Sequence, residues 1–149
     1  MRQIPKYNSE HNLYEQIARY LQSQYPNVIY RFDIAADLKL TMGQAVKLKR
    51  LHPERGYPDL FIAEPINIKV KTALGGDYSL VEIKTLGGLY LEIKKDGEKL
   101  TKKGGSWRTP HIAEQAGMLE NLRARGYKAE FGVGFDECKQ IIDNYLRQL

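Results

Sequence analysis

Three places in this chain pair residue types that together could do phosphoryl chemistry. Pro58-Asp59 stands at the head of a short apolar run, and the tripeptide Glu-Ile-Lys occurs twice, as Glu82-Ile83-Lys84 and as Glu92-Ile93-Lys94. On a strand, residues two apart project to the same side, so either Glu-x-Lys would aim its carboxylate and ammonium into one cleft while the isoleucine points the other way. A hard divalent cation such as Mg²⁺ or Mn²⁺ takes oxygen ligands: Asp59 and one of the glutamates can supply carboxylates, and the backbone carbonyl between Glu and Lys another oxygen. Such a cation polarises a phosphoryl oxygen and acidifies its bound water, and a neighbouring lysine steadies the attacking hydroxide or the pentavalent phosphate. The same residues have plainer readings. Glu-x-Lys is common on a solvated strand face, and Pro-Asp commonly marks a turn.

A further carboxylate belongs to the first helix. Leu13, Tyr14, Ile17, Ala18 and Leu21 recur at three-and-four spacing, which predicts a helix from a cap at Asn8 or Ser9 to about Gln24. Glu10 precedes Tyr14, Ile17 and Leu21 on that apolar face, whereas Glu15 falls on the outer side. A carboxylate on an inward face needs a partner: a metal is one, and the helix dipole is the alternative.

The elements that must position these residues follow from local pattern. Val28 to Phe32 reads as a strand, and the stretch from Asp33 to Arg55 as either a short helix over Gly43 to Leu51 or a structured basic loop. Tyr57 to Ala63, Ile66 to Lys71, Tyr78 to Lys84 and Leu89 to Lys94 read as strands separated by Pro65, Gly75-Gly76 and Gly87-Gly88. Lys95 to Arg108 is rich in Gly and Lys and reads as an exposed basic loop. Pro110 suits the first turn of a helix with Ile112, Ala116, Leu119 and Leu122 on one face, ending at Gly126. Lys128 to Gly134 predicts a strand, and Asp136 a cap for a last helix carrying Cys138, Ile141, Ile142, Tyr145 and Leu146.

At 149 residues, with 28% charged and 42% hydrophobic residues, the chain suits one folded domain over 1–149. Its formal net charge of +5 and sequence pI near 9.2 are compatible with a polyanionic partner without demanding one. Cys138 is the only cysteine, which excludes an internal disulfide and a cysteine-built zinc site and fits a reducing cytoplasm. No apolar stretch approaches the roughly 20 residues of a membrane span, and the N-terminus lacks the apolar core of a signal peptide. His11, His52 and His111 are too dispersed to suggest a zinc site. Lys47, Lys49, Arg50 and Arg55, with Lys99, Lys102, Lys103 and Arg108, are candidates for phosphate contacts. Trp107 could stack on a base or cover apolar surface.

GYPDLFIAEP, GLYLEIKKDGEKL and the run from His111 to Leu146, with its Glu-Gln helix, Gly-Tyr strand and Gly-Phe-Asp-Glu helix, resemble the VRR-NUC branch of the PD-(D/E)XK nucleases, especially stand-alone phage and prophage members. The resemblance covers nearly the whole chain. It implies an α/β (α+β) restriction-endonuclease-like core, a mixed sheet flanked by helices. It further implies a Mg²⁺- or Mn²⁺-dependent DNA endonuclease, acting as a homodimer on branched DNA such as Holliday junctions, in the cytoplasm of a bacterial host.

Residue by residue, the resemblance makes Asp59 and Glu92 metal carboxylates, Lys94 the catalytic lysine and Gln115 a helix residue near the active centre. It also selects Glu10 by its distance from Tyr25-Pro26, and the Ile93 carbonyl follows as a metal ligand. One departure stands out. Asp59 and Glu92 are 33 residues apart, more than the family usually has, and Glu82, 23 residues on, is closer to the usual spacing. The sequence after Lys94 follows the family and that after Lys84 does not, which favours Glu92 and Lys94 and makes the 66–86 segment a β-hairpin insertion. The alternatives are a nucleic-acid-binding module that keeps the fold without catalysis, and a nuclease that acts on RNA or as a subunit.

Overall fold

The computed structural model describes residues 10–34 and 39–148, and for Glu10, His11 and Tyr78 the backbone only. Helix α1 (Glu10–Gln24) buries Tyr14, Ile17 and Leu21, the stripe expected from their spacing, and closes where Tyr25 N–H still reaches the Leu21 carbonyl at 2.8 Å before Pro26. The proposed caps Asn8 and Ser9 lie outside the described residues. Strand β1 is shorter than expected, Tyr30–Phe32, and α2 (Met42–Leu51) resolves the ambiguous basic stretch as a helix. Thr41 caps α2 in a reciprocal capping box with Gln44. None of its residues is buried.

Strand β2 (Leu60–Ile62) is also shorter than the apolar run that predicted it. Two long strands follow, β3 (Ile66–Gly75) and β4 (Tyr78–Leu86), and they pair with each other antiparallel in a separate two-stranded sheet. The 66–86 segment is therefore a β-hairpin that extends beyond the central sheet, held at its base by Ile66, Ile68 and Leu86. Strand β5 (Leu89–Lys94) is buried along its whole length.

Helix α3 (Pro110–Ala124) has Pro110 in its first turn, as expected, and Thr109 as its side-chain cap. Strand β6 (Lys128–Val133) runs straight into α4 (Gly134–Leu146). Here the structure corrects the sequence reading: Asp136 lies within the first turn rather than at the cap, and Val133 occupies the cap with no side-chain hydrogen bond. Gly134 makes the abrupt start possible, because its φ of 80° is costly for other residues and a Cβ there would lie 2.8 Å from Asp96 Oδ1.

The central sheet has the order β1-β2-β5-β6. β1, β2 and β5 pair antiparallel, and β5 pairs parallel with β6, the two joined by α3 as a crossover. Leu60, Ile62, Leu89, Leu91 and Ile93 face α1 and α4, packing on Ile17, Leu21, Ile142 and Leu146. The opposite sheet face carries Phe61, Tyr90, Ala129 and Phe131 against Leu119 and Leu122 of α3. This is the mixed sheet flanked by helices that the sequence implied.

The contact between α1 and α4 is fastened by one buried carboxylate. Asp143 accepts hydrogen bonds from the hydroxyls of Tyr20 and Tyr25 (2.7 Å) and from Lys139 (2.9 Å). Burial alone would raise its pKa, but the hydrogen bonds from Lys139, Tyr20 and Tyr25 outweigh it and hold the carboxyl at about 2, below its ordinary 3.8. A depressed pKa stabilises the fold above the ordinary value, and that stability is lost as pH falls from 3.8 towards 2. Asp143→Ala, which orphans two tyrosine hydroxyls, should cost about 1–3 kcal/mol at neutral pH in urea unfolding, and the gap to wild type should shrink over that acid range.

Candidate active site

Strand β2 stops one residue short of the carboxylate that matters. Beyond the last register pair on this side, Leu60 with Leu91, Asp59 leaves the β2–β5 ladder. Its own carbonyl accepts the Asp33 N–H at 2.8 Å. Its side chain takes over the missing ladder partner on the other side, Oδ2 accepting the Ile93 N–H at 2.7 Å. The N–H and C=O of one strand residue point to the same edge, so the Ile93 carbonyl faces this same opening. Asp59 Oδ1 accepts the Tyr14 hydroxyl from α1 at 2.5 Å. The Pro58-Asp59 turn is set against α3 by Gly56, whose φ is 72° and whose missing Cβ would lie 3.0 Å from the backbone of Glu114 and Gln115.

Glu92 and Lys94 share one face of β5, with Lys94 Nζ 3.6 Å from Glu92 Oε1, and both are about 95% buried. From α3, Gln115 Nε2 donates to the same Oε1 at 2.5 Å. Glu92 Oε2 is buried and has no hydrogen-bond partner. Burial, and next the charge of Asp59, push the Glu92 carboxyl up to about 9, with Lys94 pulling in the opposite direction. Burial also raises Asp59, against the hydrogen bonds from Tyr14 and Ile93.

The buried Glu92 and the half-buried Asp59 both resist ionisation, and one Glu92 oxygen is left unmatched, so the site is short of positive charge. That donor set, with the Ile93 carbonyl, fits a hard divalent cation. Among the described residues no three His, Cys, Asp or Glu side chains gather into a metal site, so any acidic ligand beyond Asp59 and Glu92 must come from elsewhere. The Glu10 side chain lies outside the described residues; its rival Glu15 is exposed and 4.0 Å from Arg19.

The structure separates the two Glu-x-Lys motifs. Glu82 and Lys84 lie on β4, exposed, opposite Val70 and Ile68 of β3 and outside the central sheet, so they meet neither Asp59 nor α3 in one cleft. Lys47, Lys49 and Arg50 are exposed on α2, and Arg55 lies 3.9 Å from Glu114. Lys99, Lys102, Lys103 and Arg108 are exposed on the 95–109 segment. That segment is tied into a small hairpin by a Thr101–Trp107 bridge and by the Arg108 N–H to the Leu100 carbonyl at 2.8 Å. Trp107 rests against Phe131, ring centroids 5.7 Å apart, and stays 42% exposed; it covers apolar surface with a ring still open to solvent. His52 and His111 are exposed. Sequence reading missed Tyr14, whose place on an apolar helix face hid its hydroxyl's role at Asp59; the only signal was a tyrosine where leucine would have served the core.

A four-stranded mixed sheet with helices on both faces, and a Pro-Asp turn meeting a buried Glu-x-Lys where two strands part, define a restriction-endonuclease-like, nuclease-type domain. No family model matches the chain, and no curated protein matches it. Among solved structures it is similar to one described as a VRR_NUC domain protein, at 25% sequence identity over 95% of this chain and 90% of that one, with a TM-score of 0.57. That likeness supports membership of the VRR-NUC family, the branch that the motifs around Asp59 and Glu92 resemble. Among the described residues no helix is long and apolar enough to cross a membrane.

Because Glu92 holds a proton in the folded protein that the unfolded chain releases, metal-free stability should fall as pH rises from 4.5 towards about 9. Glu92→Gln, which mimics the protonated carboxyl, should be more stable than wild type by at least about 1 kcal/mol near the top of that range in EDTA, and equal to it at the acid end. Urea unfolding of both proteins across pH measures the difference.

Proposed function

We propose that this chain is a nuclease that hydrolyses DNA phosphodiester bonds with Mg²⁺ or Mn²⁺. The observation that carries the reading is the pairing of half-buried Asp59 with buried Glu92, with an unpartnered Glu92 oxygen and the Lys94 ammonium beside Glu92. Asp59, Glu92 and the Ile93 carbonyl would hold the metal, with Glu10 as a further carboxylate from α1. A divalent cation bound there supplies charge for the phosphoryl oxygens and lowers the pKa of attacking water.

The protein's own residues do the rest. Tyr14 and the Ile93 N–H fix the Asp59 carboxylate from two sides, and Gln115 fixes Glu92, so neither carboxylate must reorganise when charge develops. Lys94, held within the cleft, places an ammonium where it stabilises the hydroxide nucleophile or the phosphorane. Lys99, Lys102, Lys103 and Arg108 on the 95–109 hairpin, with Lys47, Lys49, Arg50 and Arg55, provide phosphate contacts on either side. The family resemblance extends the proposal to branched DNA such as four-way junctions, cut by a homodimer whose two sites face opposed strands. Met42 and Val46, exposed on the outer side of α2, suit contact with a second copy.

Cleavage of linear, flapped and four-way-junction DNA, and of matched RNA, tests this directly. Wild type should cleave DNA in Mg²⁺ or Mn²⁺ and not in EDTA. Asp59→Ala and Lys94→Ala should each lose at least about a hundredfold in rate, while Lys84→Ala retains wild-type rates. Loss through Lys84 would move the site to β4. Binding without wild-type cleavage would assign a nucleic-acid-binding module instead, and cleavage confined to RNA would change the substrate.

A further inference from the structure

Helix α2 buries none of its residues, yet it does not stand free of the body. Between it and the α3-side face of the central sheet lies a cleft of about 840 Å³. Leu48 and Leu51 line it from α2 and His52 from the residue that ends that helix, with Arg31 and Tyr90 from the sheet and Tyr57 from the segment that leads into β2. Tyr90 stacks on Phe61 with ring centroids 4.4 Å apart and is steadied by a Tyr57 hydroxyl contact of 3.1 Å. Tyr57 itself is 41% exposed. This wall of aromatic rings is fixed in place and open towards the cleft.

Its position matters as much as its chemistry. Pro58 lies in the cleft wall and is joined directly to Asp59. Tyr90 precedes Glu92 by two residues on the same face of β5, about 6.6 Å along the strand. The cleft wall is thus one residue from Asp59 along the chain and one strand repeat from Glu92, a separation on the scale of one nucleotide.

We propose that this cleft receives an unpaired nucleobase from the nucleotide next to the scissile phosphate. The inference rests on the nuclease reading above and narrows its substrate class to DNA that is single-stranded or locally unpaired at the cut. A nucleobase is flat and aromatic with polar edges. The cleft offers Tyr57 as a stacking surface, Leu48 and Leu51 as an apolar opposite wall, and Arg31 and His52 as edge donors. Lys47, Lys49 and Arg50, on the same helix, supply positive charge for the strand's phosphates. A base paired inside a duplex cannot enter such a cleft without leaving its stack, which sets apart junctions, flaps and single strands.

The test uses binding without catalysis. Metal-free protein in EDTA is titrated with a short DNA strand carrying one 2-aminopurine, and with the same strand in a duplex. Saturable quenching of the probe by wild type should be strong for the single strand and weak for the duplex. Tyr57→Ala and Leu51→Arg should abolish the quench and weaken binding at least about fivefold. Tyr57→Phe, which keeps the ring, should retain both, separating stacking from damage to the fold.

Quenching unchanged in Tyr57→Ala and Leu51→Arg overturns the proposal. So does quenching unchanged in Leu51→Arg while sedimentation shows a wild-type dimer dissociating, which would make the cleft a seat for a second copy. Quenching that behaves as expected in a protein that never cleaves would sink the catalytic reading and leave the base site standing. Cleavage without probe quenching would do the reverse.

Discussion

The molecule depends on a single exchange of hydrogen bonds at the end of β2. A strand that parts from its neighbour leaves an N–H without its ladder acceptor, and a buried unmatched N–H is costly. Here the Asp59 carboxylate takes the place of a backbone carbonyl at Ile93, so the sheet can open without losing that bond. The parting of the strands leaves the buried Ile93 carbonyl facing the same edge of β5 as the N–H that Asp59 has taken. It also brings an acidic group next to Glu92, whose carboxyl is consequently driven up to about 9 by burial and by Asp59. The feature that ends the strand is the feature that creates the site.

Everything around that point keeps the opening in register. Tyr14 reaches Asp59 from α1 on one side of the sheet, and Gln115 reaches Glu92 from α3 on the other, so both helical layers terminate their packing in a hydrogen bond to a site carboxylate. Asp143 draws Tyr20 and Tyr25 of the α1 region onto α4, and so holds α1, with Tyr14, at a constant height over β5. Gly56 sets the Pro58-Asp59 turn directly on the α3 backbone.

The β3–β4 hairpin and helix α2 differ in their relation to the site. The β3–β4 hairpin leaves the central sheet and carries its own Glu-x-Lys away from the cleft, which explains how the insertion lengthens the spacing between Asp59 and Glu92 without disturbing them. Helix α2 stays close and forms one wall of the aromatic cleft. Its basic residues and its apolar inner side lie on one short helix, a combination suited to holding a strand by phosphate and base together.

Much of this was legible in the residues themselves. Tyr14, Ile17 and Leu21 specify a buried helical stripe because side chains four apart share a face. Glu92 and Lys94 are bound to emerge on one side of a strand because alternation along β5 leaves them no other choice. Local pattern could not decide between Glu82-Lys84 and Glu92-Lys94, since both obey the same alternation; only strand pairing over tens of residues puts one pair in the core and the other on an exposed ribbon. The Asp136 cap failed for a similar reason: β6 enters α4 through Gly134 against Asp96, a contact set by the approach of two distant segments. The Tyr14 hydroxyl at Asp59 and the cleft beneath α2 likewise belong to the tertiary structure. Sequence periodicity reports which face a side chain takes, whereas the partner waiting there is decided by how the layers close.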